Sequence, residues 1–268
     1  TTRTVYGKVV TGDGAVRVEH AMRRLHAWFT NSRVAGTPEP VGYVADWRML
    51  VQRGVPGCTV YDLQRRDHAD ADLYRTIGVA LAELHAAPLD DLDTHTVDAE
   101  LTLLDGMLGK GVLAAADQAR ADALLALLRQ RQGTCPDADL VTTHRDFYDK
   151  QVLSDARRLW IIDLDTLARA PRALDAGNFV AHLQLRVRQG YLAGSLHARA
   201  RLAFIEGYGG HRVDAATLGW WTAAALLRLA VVYAVRPAWS HLSPRLLDDA
   251  SVALAGAAHE LVQHEVGV

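Results

Sequence analysis

A short strand-like island inside a long run of helical periodicity constrains the fold of this chain more than any other feature. From Asp70 onward apolar residues recur at helical spacing. Leu73, Ile77, Leu81 and Leu84 share one face, and Pro88 ends the run. The same pattern marks 97–108, 112–132, 173–189, 195–208, 214–235 and 244–264. The stretch 140–167 breaks it. There, 151–153 and 159–163 read as strands joined by the polar turn Ser154-Asp155-Ala156-Arg157, which predicts a hairpin.

The first 60 residues read differently. A strand is expected over 4–10, a turn at Gly12-Asp13-Gly14, and a helix from Ala15 with Ala21, Leu25 and Trp28 on one stripe. Pro38 and Pro40 break the chain, and short strands follow at 41–44 and 48–52, ended by Gly54, Pro56 and Gly57. The expected fold is α+β and bilobal: a small β-rich part over 1–55, a connector near 53–63, and a helical part over 56–268 that carries the hairpin. A cleft between two such parts is a favoured ligand site.

Composition removes several classes. At 268 residues the chain is long enough for a real core, and its formal charge of −2 gives no basic face for a nucleic acid. Half of its residues are hydrophobic and 22% are charged, which excludes a disordered chain. Only three of its 29 basic residues are lysines: Lys8, Lys110 and Lys150. The two cysteines, Cys58 and Cys135, stand apart from any metal-binding spacing and read as free thiols. No signal peptide is visible, so a cytoplasmic protein is expected. The stretch 215–235 is nearly all apolar, yet Arg228 interrupts it. A central Arg costs roughly 2.5–3.5 kcal/mol on membrane-insertion scales. A buried core helix is the expectation, with no membrane partner.

The island also holds the chemistry. It reads Thr143-His144-Arg145-Asp146-Phe147-Tyr148-Asp149-Lys150-Gln151, and then Ile161-Ile162-Asp163-Leu164-Asp165. A carboxylate that orients an acceptor hydroxyl and takes its proton, plus a second carboxylate and an amide oxygen that hold Mg²⁺ against nucleotide phosphates, are the parts phosphoryl transfer needs. No Cys/His cluster offers a competing metal site.

Here the chain resembles the aminoglycoside phosphotransferase and choline kinase group, small-molecule relatives of the protein kinases, over nearly its whole length. The resemblance implies a protein-kinase-like fold, ATP and Mg²⁺ as cofactors, and a small-molecule hydroxyl acceptor as partner. It assigns the catalytic base to Asp146, the loop histidine to His144, and metal ligation to Gln151 and Asp163. Asp175 is assigned to holding the loop; Asp165 reads either as reaching a second metal or a phosphate, or as capping the hairpin. Upstream, Lys8 matches the strand lysine that grips the phosphates, and Glu19 its ion-pair partner. The stretch 50–57, with Gln52 and Val55, matches the hinge that reads adenine, and Ala82-Glu83-Leu84-His85 resembles the "LAxLH" helix that precedes the helical lobe's core.

Three departures stand out. Gln151 replaces the usual Asn, which keeps a carboxamide but lengthens it by one methylene. No glycine-rich loop precedes Lys8, which implies a further N-terminal piece. Asp163-Leu164-Asp165 is not Asp-Phe-Gly. Tyr148 and Asp149 read as loop residues that could border the acceptor, Lys150 as either a solvated lysine or one near substrate, and His182, His197 and His241 as core or surface residues. Only a short stretch separates Asp163 from the next helix, too little to dock a peptide. From Thr166 to Val268 there are seven Asp/Glu against ten Arg. A polycationic acceptor wants an acidic wall. The expected acceptor is therefore a sugar, amino sugar or other polyol. The alternatives are an aminoglycoside bound by a cluster of Asp248, Asp249 and Glu260, a catalytically weak nucleotide-binding module, and a helical interaction protein.

Overall fold

The computed structural model describes residues 4–10, 14–134 and 139–265. Gly12, Asp13 and Cys135 lie outside the described residues, as does the Glu260 side chain; Cys58 is a free thiol.

The N-terminal part is a three-stranded sheet with one helix. Strand β1 (Val5–Val9) and helix α1 (Ala15–Trp28) come first. The short β2 (Ala35–Gly36) follows, then β3 (Pro40–Val44) and β4 (Met49–Arg53). β4 is central, antiparallel to both β1 and β3, with Lys8 opposite Leu50 and Tyr6 opposite Gln52. Helix α1 buries Ala21, Met22 and Leu25 but not Trp28, which is 43% exposed. Trp28 was expected on the buried stripe; instead its indole N–H donates to the Glu83 carbonyl at 3.0 Å. Trp28 is the last residue of α1, where its amphipathic ring stays at the surface with its N–H satisfied.

The expected connector contains β5 (Cys58–Thr59) and a short helix, α2 (Val60–Arg65). The helical part then runs α3 (Ala71–His85), α4 (Val97–Leu108) and α5 (Ala115–Gln130). Some of its helix starts are chemically marked. Asp70, Thr96 and Asp214 each accept a backbone N–H of the first turn through a side-chain oxygen.

The island is two nested strand pairs rather than one hairpin. An outer pair, β6 (Leu140–Thr143) with β9 (Ala168–Pro171), encloses an inner pair, β7 (Val152–Ser154) with β8 (Leu159–Ile161). β8 also takes β2 as a parallel neighbour and β7 takes β5. This small four-stranded sheet joins the two ends of the molecule.

The chain ends in α6 (Ala173–Arg188), α7 (Gly194–Tyr208), α8 (Ala215–Ala234) and α9 (Ser243–Glu265). α3 crosses α7 at a glycine pair. A Cβ on Gly78 would lie 2.1 Å from the Phe204 carbonyl, and one on Gly207 2.0 Å from the Arg75 carbonyl, so only glycine allows that approach. Helix α8 is long and apolar enough to cross a membrane, but 78% of that window is buried inside the protein. A helix apolar on every side is what a core position requires. Arg228 within it donates to Glu100 Oε1 at 2.7 Å and to Asn178 Oδ1 at 2.8 Å. Glu100 also takes a hydrogen bond from His95. Burial works against its charge, yet Arg228 and His95 hold its carboxyl below the usual range.

Candidate active site

The nested strand pairs explain the geometry of the island. Thr143 faces Ala168 in the outer pair, and Val152 faces Ile161 in the inner one. The two intervening loops, 144–151 and 162–167, are thus pinned at both ends and lie side by side. Cross-links tie them together. Ile162 N–H donates to the Gln151 carbonyl at 2.9 Å, and Thr166 Oγ1 donates to the His144 carbonyl at 2.7 Å.

His144 is fully buried, and its Nε2 lies 2.8 Å from the Ile162 carbonyl. Asp175, at the start of α6, is also fully buried. Its carboxylate accepts the backbone N–H groups of His144 at 2.7 Å and Arg145 at 2.8 Å. Its third contact is His85 Nε2 at 3.0 Å. Arg145 takes the left-handed conformation, φ 67°, which costs a non-glycine residue about 1–3 kcal/mol. The two hydrogen bonds to Asp175 stabilise that turn, and Asp146 is the next residue along.

Three polar side chains meet where the loops touch. The Gln151 amide lies 3.1 Å from Asp163 Oδ2 and 3.4 Å from Asp146 Oδ2. From the sheet above, Lys8 reaches across the cleft to Asp163 and, at 2.8 Å, to Asp165 Oδ1. Burial alone would lower the Lys8 ammonium, but its bonds to Asp163 and Asp165 raise it above its ordinary value. Burial likewise opposes the Asp163 charge, and hydrogen bonding with Asp165 and Lys8 holds its carboxyl below the usual range. Asp163 sits in a left-handed turn, φ 63°, just beyond β8. Tyr6, Lys8, Leu50 and Gln52 form one wall of a small cavity of about 40 Å³ whose other wall is Asp163 to Asp165.

Some expected partnerships differ. Glu19 does not pair with Lys8; it is bound by Arg23, one helical turn away, because an i,i+4 neighbour needs no reach across the cleft. Gln52 lies in the doubly paired part of β4, and Val55 lies beyond its last paired residue. Asp149 does not border open space. It is buried and bidentate to the buried Arg186, at 2.6 and 2.8 Å. Asp248 and Asp249 form no free acidic cluster: Arg120 binds the first, and Arg188 holds the second with two hydrogen bonds.

Sequence reading missed several neighbours of the loop. His85 was seen only as part of a helix motif, although it completes the Asp175 contacts. Tyr61 and Arg65, four apart on α2, bring a ring and a cation toward Lys150 and Tyr191; the i,i+4 spacing was the available signal. His182 stacks on Tyr148 with ring centroids 4.1 Å apart. Burial and the charge of Asp146 push the Tyr148 phenol up to about 12.

Burial, and then the charges of Arg186 and Arg228, push His182 well below its ordinary value, so it folds neutral. Below the unfolded value of about 6.5 the unfolded chain takes up a proton that the native site refuses. Stability is therefore expected to fall as pH drops from 7 to 5, by up to about 1.4 kcal/mol per pH unit. Urea denaturation across that range should show a shallower loss for His182→Gln.

A family model described as a phosphotransferase enzyme family matches residues 8–209. No curated protein matches the chain. Among solved structures, a choline/ethanolamine kinase family protein from Mesorhizobium loti superposes with a TM-score of 0.67 at 13% identity, covering 93% of this chain and 82% of that one. A glucosamine kinase gives 0.65 at 19% identity over 98% of this chain and 76% of that one. An aminoglycoside phosphotransferase from Streptomyces rimosus gives 0.60 at 18%, over 84% and 86%. The glucosamine kinase has also been solved with glucosamine, ADP and inorganic phosphate. At these identities the likeness establishes the fold, with its small sheet-rich N-terminal part and larger helical part.

Proposed function

The chain belongs to the phosphotransferase enzyme family and is a small-molecule kinase, and from that premise we propose that it moves the γ-phosphoryl group of ATP to a hydroxyl of a sugar, amino sugar or other polyol. The observation that carries this reading is the meeting of Asp146, Gln151 and Asp163 beneath Lys8.

On this reading residues 1–55 hold the nucleotide, and residues 56–268 carry the catalytic loop and the acceptor site. Lys8 holds phosphate oxygens, and Gln52 and Val55 border the adenine. Asp146 orients the acceptor hydroxyl and takes its proton. The acceptor oxygen then bonds to the γ-phosphorus as the bond from phosphorus to the β,γ-bridging oxygen breaks, and ADP leaves with that electron pair. Most of the acceleration comes from positioning and charge neutralisation. His144, anchored to the second loop, keeps Asp146 and Asp163 at a fixed separation.

Asp163, Asp165 and Gln151, with its amide turned so that the oxygen replaces the Nε2 that donates to Asp163, would hold Mg²⁺, which neutralises phosphate charge when bound. The donors are all hard oxygens, as that ion prefers. Among the described residues no three His, Cys, Asp or Glu side chains form a metal cage. Mg²⁺ takes one or two carboxylates and completes its shell with phosphate oxygens and water. The reading places the enzyme in the cytoplasm, where ATP is. The pairing of Asp248 and Asp249 with arginines speaks against a polycationic aminoglycoside, since those charges are already compensated.

The test is ATP consumption across sugars, sugar acids, amino sugars, aminoglycosides and amino alcohols, with the phosphate ester identified by mass spectrometry. Turnover confined to polyhydroxylated sugars supports the reading; turnover confined to aminoglycosides or amino alcohols overturns it. Gln151→Ala should raise the Mg²⁺ concentration for half-maximal rate roughly 10- to 100-fold, the range for loss of a group that supports a metal site.

A further inference from the structure

Most arginines near the catalytic loop are spent on carboxylates. Arg186 has Asp149, Arg188 has Asp249, and Arg228 has Glu100. Three exposed cations beside the same loop are not: among the described residues, Arg65, Lys150 and Arg236 make no ion pair and no side-chain hydrogen bond.

They are nonetheless held in place, by rings. Lys150 Nζ lies 4.4 Å from the centroid of Tyr61, and the Arg65 guanidinium lies 5.3 Å from that of Tyr191 and 5.7 Å from that of Tyr61. Arg236 lies 4.6 Å from the Tyr233 ring. Tyr61 and Tyr191 meet edge to face at 5.7 Å, and Tyr191 meets Trp239 in the same way at 5.9 Å. Such contacts orient a cation while leaving its hydrogen-bond donors open. Nearby acids are already engaged. Asp149 is saturated by Arg186, and Asp62, on the same helix as Tyr61, accepts from Thr59.

Lys150 lies four residues beyond Asp146 in the same loop. A wall of rings faced with unpaired cations, starting from the loop that carries the base, is complementary to a particular acceptor. Unpaired cations favour an anion and reject a cation.

We propose that Arg65 and Lys150, set on the Tyr61–Tyr191–Trp239 wall, together with Arg236 over Tyr233, form an anion-binding subsite, and that the acceptor carries a carboxylate or phosphate in addition to the hydroxyl that is phosphorylated. This rests on the phosphotransferase reading above and narrows its polyol class to acidic members. The Lys150 turn matters here. Gln151 N–H donates to the Tyr148 carbonyl at 2.9 Å, and this bond folds 148–151 tightly enough to aim Gln151 at the two aspartates and Lys150 at Tyr61.

The experiment has two readouts. Isothermal titration measures binding of gluconate, glucose 6-phosphate, sorbitol and glucosamine in the presence of ADP. A coupled assay measures kcat/KM for the same compounds. Both use the wild type and a Lys150→Glu/Arg236→Glu variant, with folding checked by circular dichroism. Lys150→Met, which keeps the stem over Tyr61 without the charge, serves as the milder second variant.

The expected result is preference for at least one anionic compound over sorbitol, reduced tenfold or more in the double variant and partly in Lys150→Met. Gluconate and glucose 6-phosphate distinguish a carboxylate from a phosphate as the recognised group. Equal binding of sorbitol, glucosamine and the anions, or an anionic preference that survives both variants, overturns the subsite. Variant-sensitive binding of an anionic compound without turnover of any acceptor upholds the subsite and overturns the phosphotransferase reading instead.

Discussion

Replacing Asp146 by Asn is expected to lower kcat by about 10²–10⁴, the usual contribution of a positioned general base. The substitution is nearly isosteric. The amide keeps an oxygen within reach of Gln151, and the loop keeps its anchors at His144, Arg145 and Thr166. What it loses is a site for the acceptor proton. The loss should fall on kcat, with the Kd for ATP little changed, because the proton moves only as the acceptor oxygen attacks. Steady-state kinetics with the best acceptor and nucleotide titration of the same variant separate the two quantities. Undiminished turnover would remove Asp146 from the role of base. An effect confined to KM would make it an acceptor-binding group.

Asp175→Asn should have the largest effect on stability, and it should reach the chemistry without touching it. One buried carboxylate satisfies two consecutive backbone N–H groups and His85. An amide at that place has one acceptor oxygen where two are needed, and it turns N–H donors toward another donor. Leaving a buried partner uncompensated costs roughly 3–5 kcal/mol, and urea denaturation should show a loss of that size. The left-handed Arg145 turn then lacks its support, so kcat should fall in the variant even at low temperature, where it remains folded. His85→Ala removes only one of the three contacts and should cost less on both measures. A stability loss without any fall in kcat would show that Asp175 supports the core but does not position the base.

Much of this was legible in the chain. The helices from Asp70 onward could be read because their apolar spacing and their caps, Asp70, Thr96 and Asp214, are local signals. So could the Ser154–Arg157 turn. The loop residues were legible because His144, Asp146, Gln151 and Asp163 fall within one short stretch. Partners chosen across the fold were not. Lys8 could have met Glu19 by pattern alone, but Asp163 and Asp165 hold it. Asp149 reads as a loop acid and proves to be half of a buried ion pair with a residue of α6. Arg228 reads as a flaw in an apolar helix and proves to be the countercharge of Glu100.

The sequence by itself determined the order of elements, the α+β class and the residue types at the catalytic loop. Periodicity, turn chemistry and motif spacing all act over a few residues, so they survive without a fold. Only the tertiary structure decided the nesting of β7–β8 inside β6–β9, which sets Asp146 beside Asp163. It alone also decided which cations found carboxylates and which were left against aromatic rings. Strand register and charge pairing depend on what the rest of the chain brings within a few ångströms, and no local pattern encodes that.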